Sequence, residues 1–298
     1  MSRELAPPAW ITSIREIRRM LAPVRRSGRT IGFVPTMGAL HAGHGALIER
    51  ARGESDFLVI SIFVNPLQFE RRDDFEAYTL DPAADAAFCA ARGVDAVFAP
   101  PPEEMYLPGR STFVEVAGLS DHLCGPHRPG HFRGVATVVA KLFHIVAPDV
   151  AYFGEKDAQQ LAIIRRMAAD LDIPVRIVAV ETVREADGLA LSSRNRRLTR
   201  EERRIAPALF QALQAGRDRI AAGCTSASEA RDAALRRLGQ EPCIRVEYVE
   251  VVDEGSMAPV ERVDRAVRIA AAVWLGATRL IDNVRAAPPA RNADPLPA

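Results

Sequence analysis

Apolar residues in the first 180 positions fall into two alternating patterns. Thr30-Ile-Gly-Phe-Val34 is a short apolar run of strand type, and Phe57-Leu-Val-Ile-Ser-Ile-Phe-Val64 is a continuous one, suited to a strand buried on both faces. Asp95-Ala-Val-Phe98, Val150-Ala-Tyr-Phe153 and Val175 to Val180 add three more. Between them the spacing turns helical: Ala46 to Ala51 reads as a helix stopping at Gly53, and Ala158 to Leu171 as another. Val135, Val138, Val139, Leu142, Phe143 and Val146 recur at helical spacing and end before Pro148. Strands alternating with helices predict a parallel sheet covered by helices, a doubly wound α/β domain.

The pattern changes after about Thr182. Thr199-Arg-Glu-Glu202 is a capping box that opens a long helix reaching toward Gly223, and Ser226-Ala-Ser-Glu229 opens a second. Strand-like runs follow at Ile244 to Val252, Ala266 to Trp274 and Arg279 to Val284. The expected organisation is a Rossmann-like domain over residues 1–182 and a smaller α+β domain over 183–285. From Ala286 four prolines and few apolar anchors predict a disordered tail.

Composition narrows the function classes. With 48% hydrophobic and 26% charged residues among 298, the chain is an ordinary globular protein. A net charge of +1 lacks the basic excess of a nucleic-acid surface. No apolar run reaches the roughly 18 residues of a membrane span, and Met1 to Pro8 has no apolar signal core, so a cytoplasmic location is expected. Cys89, Cys124, Cys224 and Cys243 form no C-x-x-C arrangement, which predicts reduced, small core residues. Only Lys141 and Lys156 among the 39 basic residues are lysine, so a retained lysine points to a need for a compact ammonium.

Four segments carry candidate chemistry. Pro35-Thr-Met-Gly-Ala-Leu-His41-Ala-Gly-His44 joins a strand to a helix, where unpaired N–H groups and the helix dipole favour an anion. A histidine near a helix start commonly caps or packs. The histidine pair split by a glycine, however, matches the H-x-G-H signature of nucleotidyltransferases and class I aminoacyl-tRNA synthetases, whose imidazoles stabilise charge on an α-phosphate. A metal site would need a third ligand at a recognisable spacing.

Tyr152-Phe-Gly-Glu-Lys156-Asp157 also lies at a strand's C-terminal end, so it can face the same crevice. Lys156 would reach phosphate oxygens; Asp157 would either cap the next helix or accept a ribose hydroxyl. Lys141 reads as solvated. In Leu191-Ser-Ser-Arg194-Asn-Arg-Arg-Leu198 two hydroxyls precede a guanidinium, which suits triphosphate, and the loop resembles the K-M-S-K-S-type loop that accompanies H-x-G-H. In Ser61-Ile-Phe-Val-Asn65-Pro-Leu-Gln68-Phe69, Asn65 is a turn residue or a substrate amide, and Gln68 is an amide able to orient a hydroxyl and a carboxylate.

Together these segments resemble the pantoate–β-alanine ligase family over residues 10 to 285. The resemblance rests on P-T-M-G-A-L-H-x-G-H, F-V-N-P-x-Q-F, R-P-G-H-F-x-G-V (Arg128 to Val135), F-G-E-K-D-x-Q-Q (Phe153 to Gln160) and V-R-E-x-D-G-L-A-x-S-S-R-N (Val183 to Asn195). It implies condensation of pantoate with β-alanine, with ATP converted to AMP and pyrophosphate through a pantoyl adenylate, in the presence of Mg2+. By resemblance His44 is catalytic, with His41 as its partner and Lys156 on the phosphates. ATP would be held by Met37, Gly38, Ala39, Leu40, His41, Gly43 and His44, by Gly154, Glu155, Lys156 and Asp157, by Val183 near the adenine, and by Leu191, Ser192, Ser193 and Arg194. Gln68 and Gln160 would hold pantoate, and Gln68 also β-alanine.

The resemblance also implies a homodimer, leaves the magnesium ligands unassigned, and gives the second domain the task of a lid that keeps water from a reactive acyl phosphate. Neither nucleic acid nor membrane is an expected partner. Two departures stand out. After Tyr78 the family's Pro-Arg-Thr is replaced by Thr79-Leu-Asp81, and Gly45 stands where a larger residue is common, which is expected to loosen the helix start by roughly 1 kcal/mol. Rival readings are a nucleotidyltransferase with another acceptor, a tRNA-handling protein and a non-catalytic nucleotide-binding module.

Overall fold

The computed structural model describes residues 7–69 and 81–289. Tyr78, Thr79 and Leu80 of the altered segment, and most of the expected tail, lie outside the described residues. The described chain divides into two compact units. The first runs to Arg184 and takes in Leu191–Ser193; the second comprises Glu185–Ala190 and the chain from Arg194.

Six parallel strands form the sheet of the first unit: β1 (Ala9–Ile11), β2 (Ile31–Thr36), β3 (Phe57–Ile62), β4 (Ala96–Phe98), β5 (Val150–Gly154) and β6 (Arg176–Val180). Their order is β1-β4-β3-β2-β5-β6. The chain therefore steps from β2 to β3 and β4 on one side and later to β5 and β6 on the other. The switch point falls between β2 and β5, where an open α/β sheet presents a crevice beyond the strand ends.

Among the described residues seven α-helices accompany these strands: α1 (Ile14–Arg26), α2 (Ala42–Glu54), α3 (Pro82–Ala90), α4 (Pro102–Met105), α5 (Cys124–His127), α6 (His131–Val146) and α7 (Ala158–Asp170). Alternation along β2 serves both faces of the sheet. Val34 joins Leu58, Ile60 and Val97 in a cluster with Leu47, Ile48 and Ala51 of α2. Its neighbour Phe33 meets Phe143 of α6 edge-on at 6.5 Å, and Phe143 meets Phe153 at 6.3 Å. Burial on both faces explains why the strands read as unbroken apolar runs.

β1 is an addition to the elements expected from sequence. It pairs with β4 through Ala9↔Ala96 to Ile11↔Phe98 and forms an edge. Three residues are too short for alternation to announce them.

In the second unit β7 (Ile244–Asp253), β8 (Val267–Leu275) and β9 (Thr278–Ala286) form an antiparallel sheet. Its apolar face, including Val249, Val251, Ile269 and Val273, packs on Leu209, Leu213, Ala230 and Ala234 of two helices. The helix expected from Thr199 toward Gly223 is two, α8 (Arg200–Ile205) and α9 (Ala208–Ala221), followed by α10 (Ala227–Leu238). Pro207 sits between them. It has no N–H to continue the helical ladder and its ring crowds the preceding turn, so the chain restarts there.

The cysteine expectation is corrected in part: Cys89 and Cys124 are buried, but Cys224 is half-buried and Cys243 exposed. No helix among the described residues is long and apolar enough to cross a membrane.

Candidate active site

The turn leaving β2 is built from backbone groups held by the side chains of Thr36 and Asp85. Thr36 Oγ1 donates to Ser61 O at 2.7 Å and accepts from Gly38 N–H at 3.1 Å. Asp85 of α3 is 3% exposed, and its carboxylate accepts from the N–H groups of Ala39 and Leu40 at 3.0 and 2.8 Å. Ala39 has φ of 52°, a left-handed conformation that costs an alanine about 1 kcal/mol or more. Asp85 is therefore the clamp that keeps the loop in this shape.

The same turn delivers both histidines. His41 is the N-cap of α2, and its Nδ1 accepts from Gly43 N–H at 3.1 Å. His44 Nδ1 accepts from His41 N–H at 3.2 Å, completing a capping box made of two imidazoles. A backbone N–H can only donate, so both Nδ1 atoms are unprotonated and each neutral ring carries its proton on Nε2. The rings lie 4.1 Å apart at 45°. Gly43 permits this fold-over, because a Cβ there would stand 2.9 Å from His41 Cε1. The structure thus shows the capping role, one of the two that the sequence left as alternatives.

Across the switch point, β5 runs into a single turn, Glu155–Asp157, before α7. Asp157 and Lys156 both act electrostatically on His44, which places the two strand exits together. Burial holds the His44 imidazole down to about 3; His41 adds to this, Asp157 opposes it, and Lys156 lowers it further. Asp157 is exposed and makes no side-chain cap, so the capping alternative fails for it.

A folded-state value below the ordinary 6.5 has a definite sign. The contribution of His44 to stability is complete above about pH 6.5 and is lost as pH falls toward 3, because the unfolded chain takes up the proton first. In the ligand-free protein the His44 ring signals in NMR are expected not to titrate between pH 8 and 5. Bound triphosphate should raise the value into that range.

β3 exits into Asn65, which accepts from Leu67 N–H at 3.2 Å and opens a turn over Pro66–Gln68. Asn65 Nδ2 donates to Gln68 Oε1 at 3.0 Å and to Gly134 O at 3.1 Å. Gln68 Nε2 lies 3.3 Å from Met37 Sδ, which brings two expected site residues together. The backbone of Gln68 is held as well: its carbonyl accepts from His131 Nδ1 at 2.9 Å and Arg128 Nη2 at 3.3 Å. Arg128 Nη1 also donates to His131 Nε2 at 2.9 Å, which fixes the tautomer.

This turn rests on α6 at Gly134, where a Cβ would meet Leu67 O at 2.3 Å and Gln68 N at 2.8 Å. Gly134→Ala is accordingly expected to destabilise the first unit by about 1–3 kcal/mol. A thermal melt beside a pantoate titration would register both the stability loss and the displaced Gln68.

Leu191 N–H donates to Val183 O at 2.9 Å, and a Cβ on Gly43 would lie 3.8 Å from Leu191 Cβ. Leu191 thus adjoins the first turn of α2, and Val183 is hydrogen-bonded to Leu191. Ser192 and Ser193 share that unit, whereas Arg194 belongs to the other. Gln160 is half-buried in the first turn of α7. Its neighbour Gln159 is fully used, donating to Leu119 O and His122 O at 2.9 and 2.7 Å and accepting from Cys124 N–H at 3.0 Å. Gly45 is buried beside Arg92, whose guanidinium lies 3.6 Å over Phe88; a Cβ at Gly45 would come 3.1 Å from Arg92 Nε. Its small size makes room for that stack.

The family model for pantoate–β-alanine ligase matches residues 9–285. The chain belongs to this family. A pantothenate synthetase of Moorella thermoacetica is 51% identical over 274 residues, covering 92% of this chain and 97% of that one. The crystal structure of the Thermus thermophilus pantothenate synthetase superposes with a TM-score of 0.89 at 46% identity, over 94% of this chain and all of that one. A pantoate–β-alanine ligase of Francisella tularensis, complexed with β-γ ATP and β-alanine, gives 0.77 at 32% identity, over 93% and 97%.

In this pantoate–β-alanine ligase family member, sequence reasoning missed Asp85, Arg128 and His131 as parts of the site. Arg128 and His131 stood inside a quoted motif, a usable signal. Asp85 carried none, since nothing local marks a carboxylate that reaches another turn.

Proposed function

We propose that this ligase condenses pantoate with β-alanine at the expense of ATP, through an enzyme-bound pantoyl adenylate. The observation that carries the reading is the neutral histidine pair, both rings protonated at Nε2, capping α2 beside Lys156. Donors held by the backbone before substrate arrives need little reorganisation as charge grows on a phosphate.

In the first step a pantoate carboxylate oxygen attacks the α-phosphorus and the bond to the bridging oxygen breaks, releasing pyrophosphate. His41 and His44 donate to the α-phosphate, and Lys156 neutralises the phosphate oxygens. Asp157 accepts a ribose hydroxyl, Val183 lies by the adenine, and Ser192, Ser193 and Arg194 bind the triphosphate. The backbone of Met37, Gly38, Ala39, Leu40 and Gly43, with Gly154, Glu155 and Leu191, completes the ATP cradle. Gln68 and Gln160 orient pantoate. In the second step the β-alanine amine, its carboxylate near Gln68, attacks the acyl carbon; the C–O bond breaks, AMP leaves and the amine proton passes to solvent.

Among the described residues no group of three His, Cys, Asp or Glu side chains could form a metal cage. Magnesium carried on the ATP phosphates fits this site, since that ion keeps several waters and needs only one or two carboxylates, for which Glu155, next to Lys156, is the candidate. When bound it would supply charge neutralisation on the triphosphate. The smaller unit acts as the lid, the assembly is a homodimer, and the enzyme works in the cytoplasm; family resemblance supports these three.

The test supplies ATP, magnesium and single acids. Pantoate should trigger pyrophosphate release, and AMP should appear fully only when β-alanine is added. Oxygen-18 in the pantoate carboxylate should pass to AMP. Pyrophosphate release without pantoate dependence, or AMP without the label, would sink the proposal.

A further inference from the structure

Asn65 offers nothing to a substrate. It is 1% exposed, and all four of its hydrogen-bonding positions are occupied within the protein. The polarity of its amide follows from partners that cannot reverse: the Leu67 N–H only donates and the Gly134 carbonyl only accepts. Oδ1 is therefore the acceptor and Nδ2 the donor. The fourth partner is the Tyr106 hydroxyl, which donates to Oδ1 at 2.8 Å.

Tyr106 follows α4, and its ring packs against Phe63 at 5.9 Å. Burial raises the phenol, so it remains protonated and a donor throughout the working range. With Asn65 Nδ2 pinned on Gln68 Oε1, the amide of Gln68 is turned so that Nε2 is its other pole, beside the weakly accepting Met37 sulfur. A substrate oxygen would displace that contact readily.

We propose that Tyr106 is a positioning residue that holds Asn65 in place, so that the Asn65 amide keeps Gln68 as a hydrogen-bond donor and the hydroxy-acid subsite selects an oxygen acceptor. The proposal rests on the reading of Gln68 as a pantoate contact. It follows that an acid presenting an ammonium at that point meets donor against donor and is refused.

Wild-type enzyme is assayed first. Absence of pantoate-dependent pyrophosphate release there would refute the proposed function and not this inference. Tyr106→Phe is expected to raise KM for pantoate about tenfold, as for loss of one hydrogen bond, with KM for ATP within about twofold. In a Gln68→Ala background the same substitution should have no further effect, because the group it positions is gone. Asn65→Asp, close in shape, sets carboxylate oxygens against Gln68 Oε1 and Gly134 O, and its loss at the pantoate step should exceed that of Tyr106→Phe. This variant reads the same polarity with Tyr106 intact should Tyr106→Phe fold poorly. Unchanged KM for pantoate in both single variants, equal increases for pantoate and ATP, or an undiminished Tyr106→Phe effect without Gln68 would overturn the assignment.

Discussion

His44→Ala is expected to slow pantoate-dependent pyrophosphate release by about 100- to 1,000-fold, the loss typical of removing one aligned donor from a charge-stabilising site. The substitution also strips the acceptor from His41 N–H, which costs a helix N-terminus roughly 0.5–2 kcal/mol. Two effects of one side chain can be separated. His44→Glu places the usual capping-box residue at the third helical position and restores the cap, while setting a negative charge against the phosphates. It should therefore melt near wild type yet show no adenylation. Rapid-quench measurement of pyrophosphate alongside a circular-dichroism melt would decide the matter; near wild-type rates in either variant would remove His44 from its role.

Asp85→Ala should destabilise the first unit by about 2–4 kcal/mol. Hydrogen bonds to a charged acceptor contribute roughly 1.5–3 kcal/mol each, and two backbone N–H groups, of Ala39 and Leu40, would lose theirs at once. Part of that loss is recovered by water entering the turn. Ala39 would no longer be held at its positive φ, so the loop ahead of the His41 cap should relax. ATP affinity is expected to fall with stability. Asp85→Asn, which keeps one acceptor oxygen and adds a donor, should cost about half as much. Denaturant titration and an ATP titration on the same samples test this; an Asp85→Ala protein as stable as wild type would show that the turn holds its own shape.

Much of this was legible along the chain because it depends on short sequence separations. The apolar runs of β2, β3 and β5 stood out since each strand is covered on both faces, and the capping box at Thr199 is a four-residue signal. The His41–His44 pair could be placed at a strand-to-helix turn for the same reason. Two misjudgements share the opposite cause. β1 gains its identity only by pairing with β4, 87 residues on, as Ala9↔Ala96. Cys243 was taken for core although its surroundings leave it exposed. Whether Asp157 caps α7 stayed open along the chain, and the fold leaves its carboxylate without a hydrogen bond to the helix end.

The sequence by itself determined the alternation of strands and helices, the change of architecture near residue 182 and the residue types that seek phosphate. These follow from periodicity and local backbone chemistry, which act within a few residues. Tertiary structure alone decided how those residues are set. Asp85 clamps a loop 46 positions earlier, Gly134 makes room for the Asn65–Gln68 turn, and the Tyr106 hydroxyl donates to an amide 41 positions away. Hydrogen-bond polarity and close packing depend on which groups meet, and which groups meet is a property of the fold.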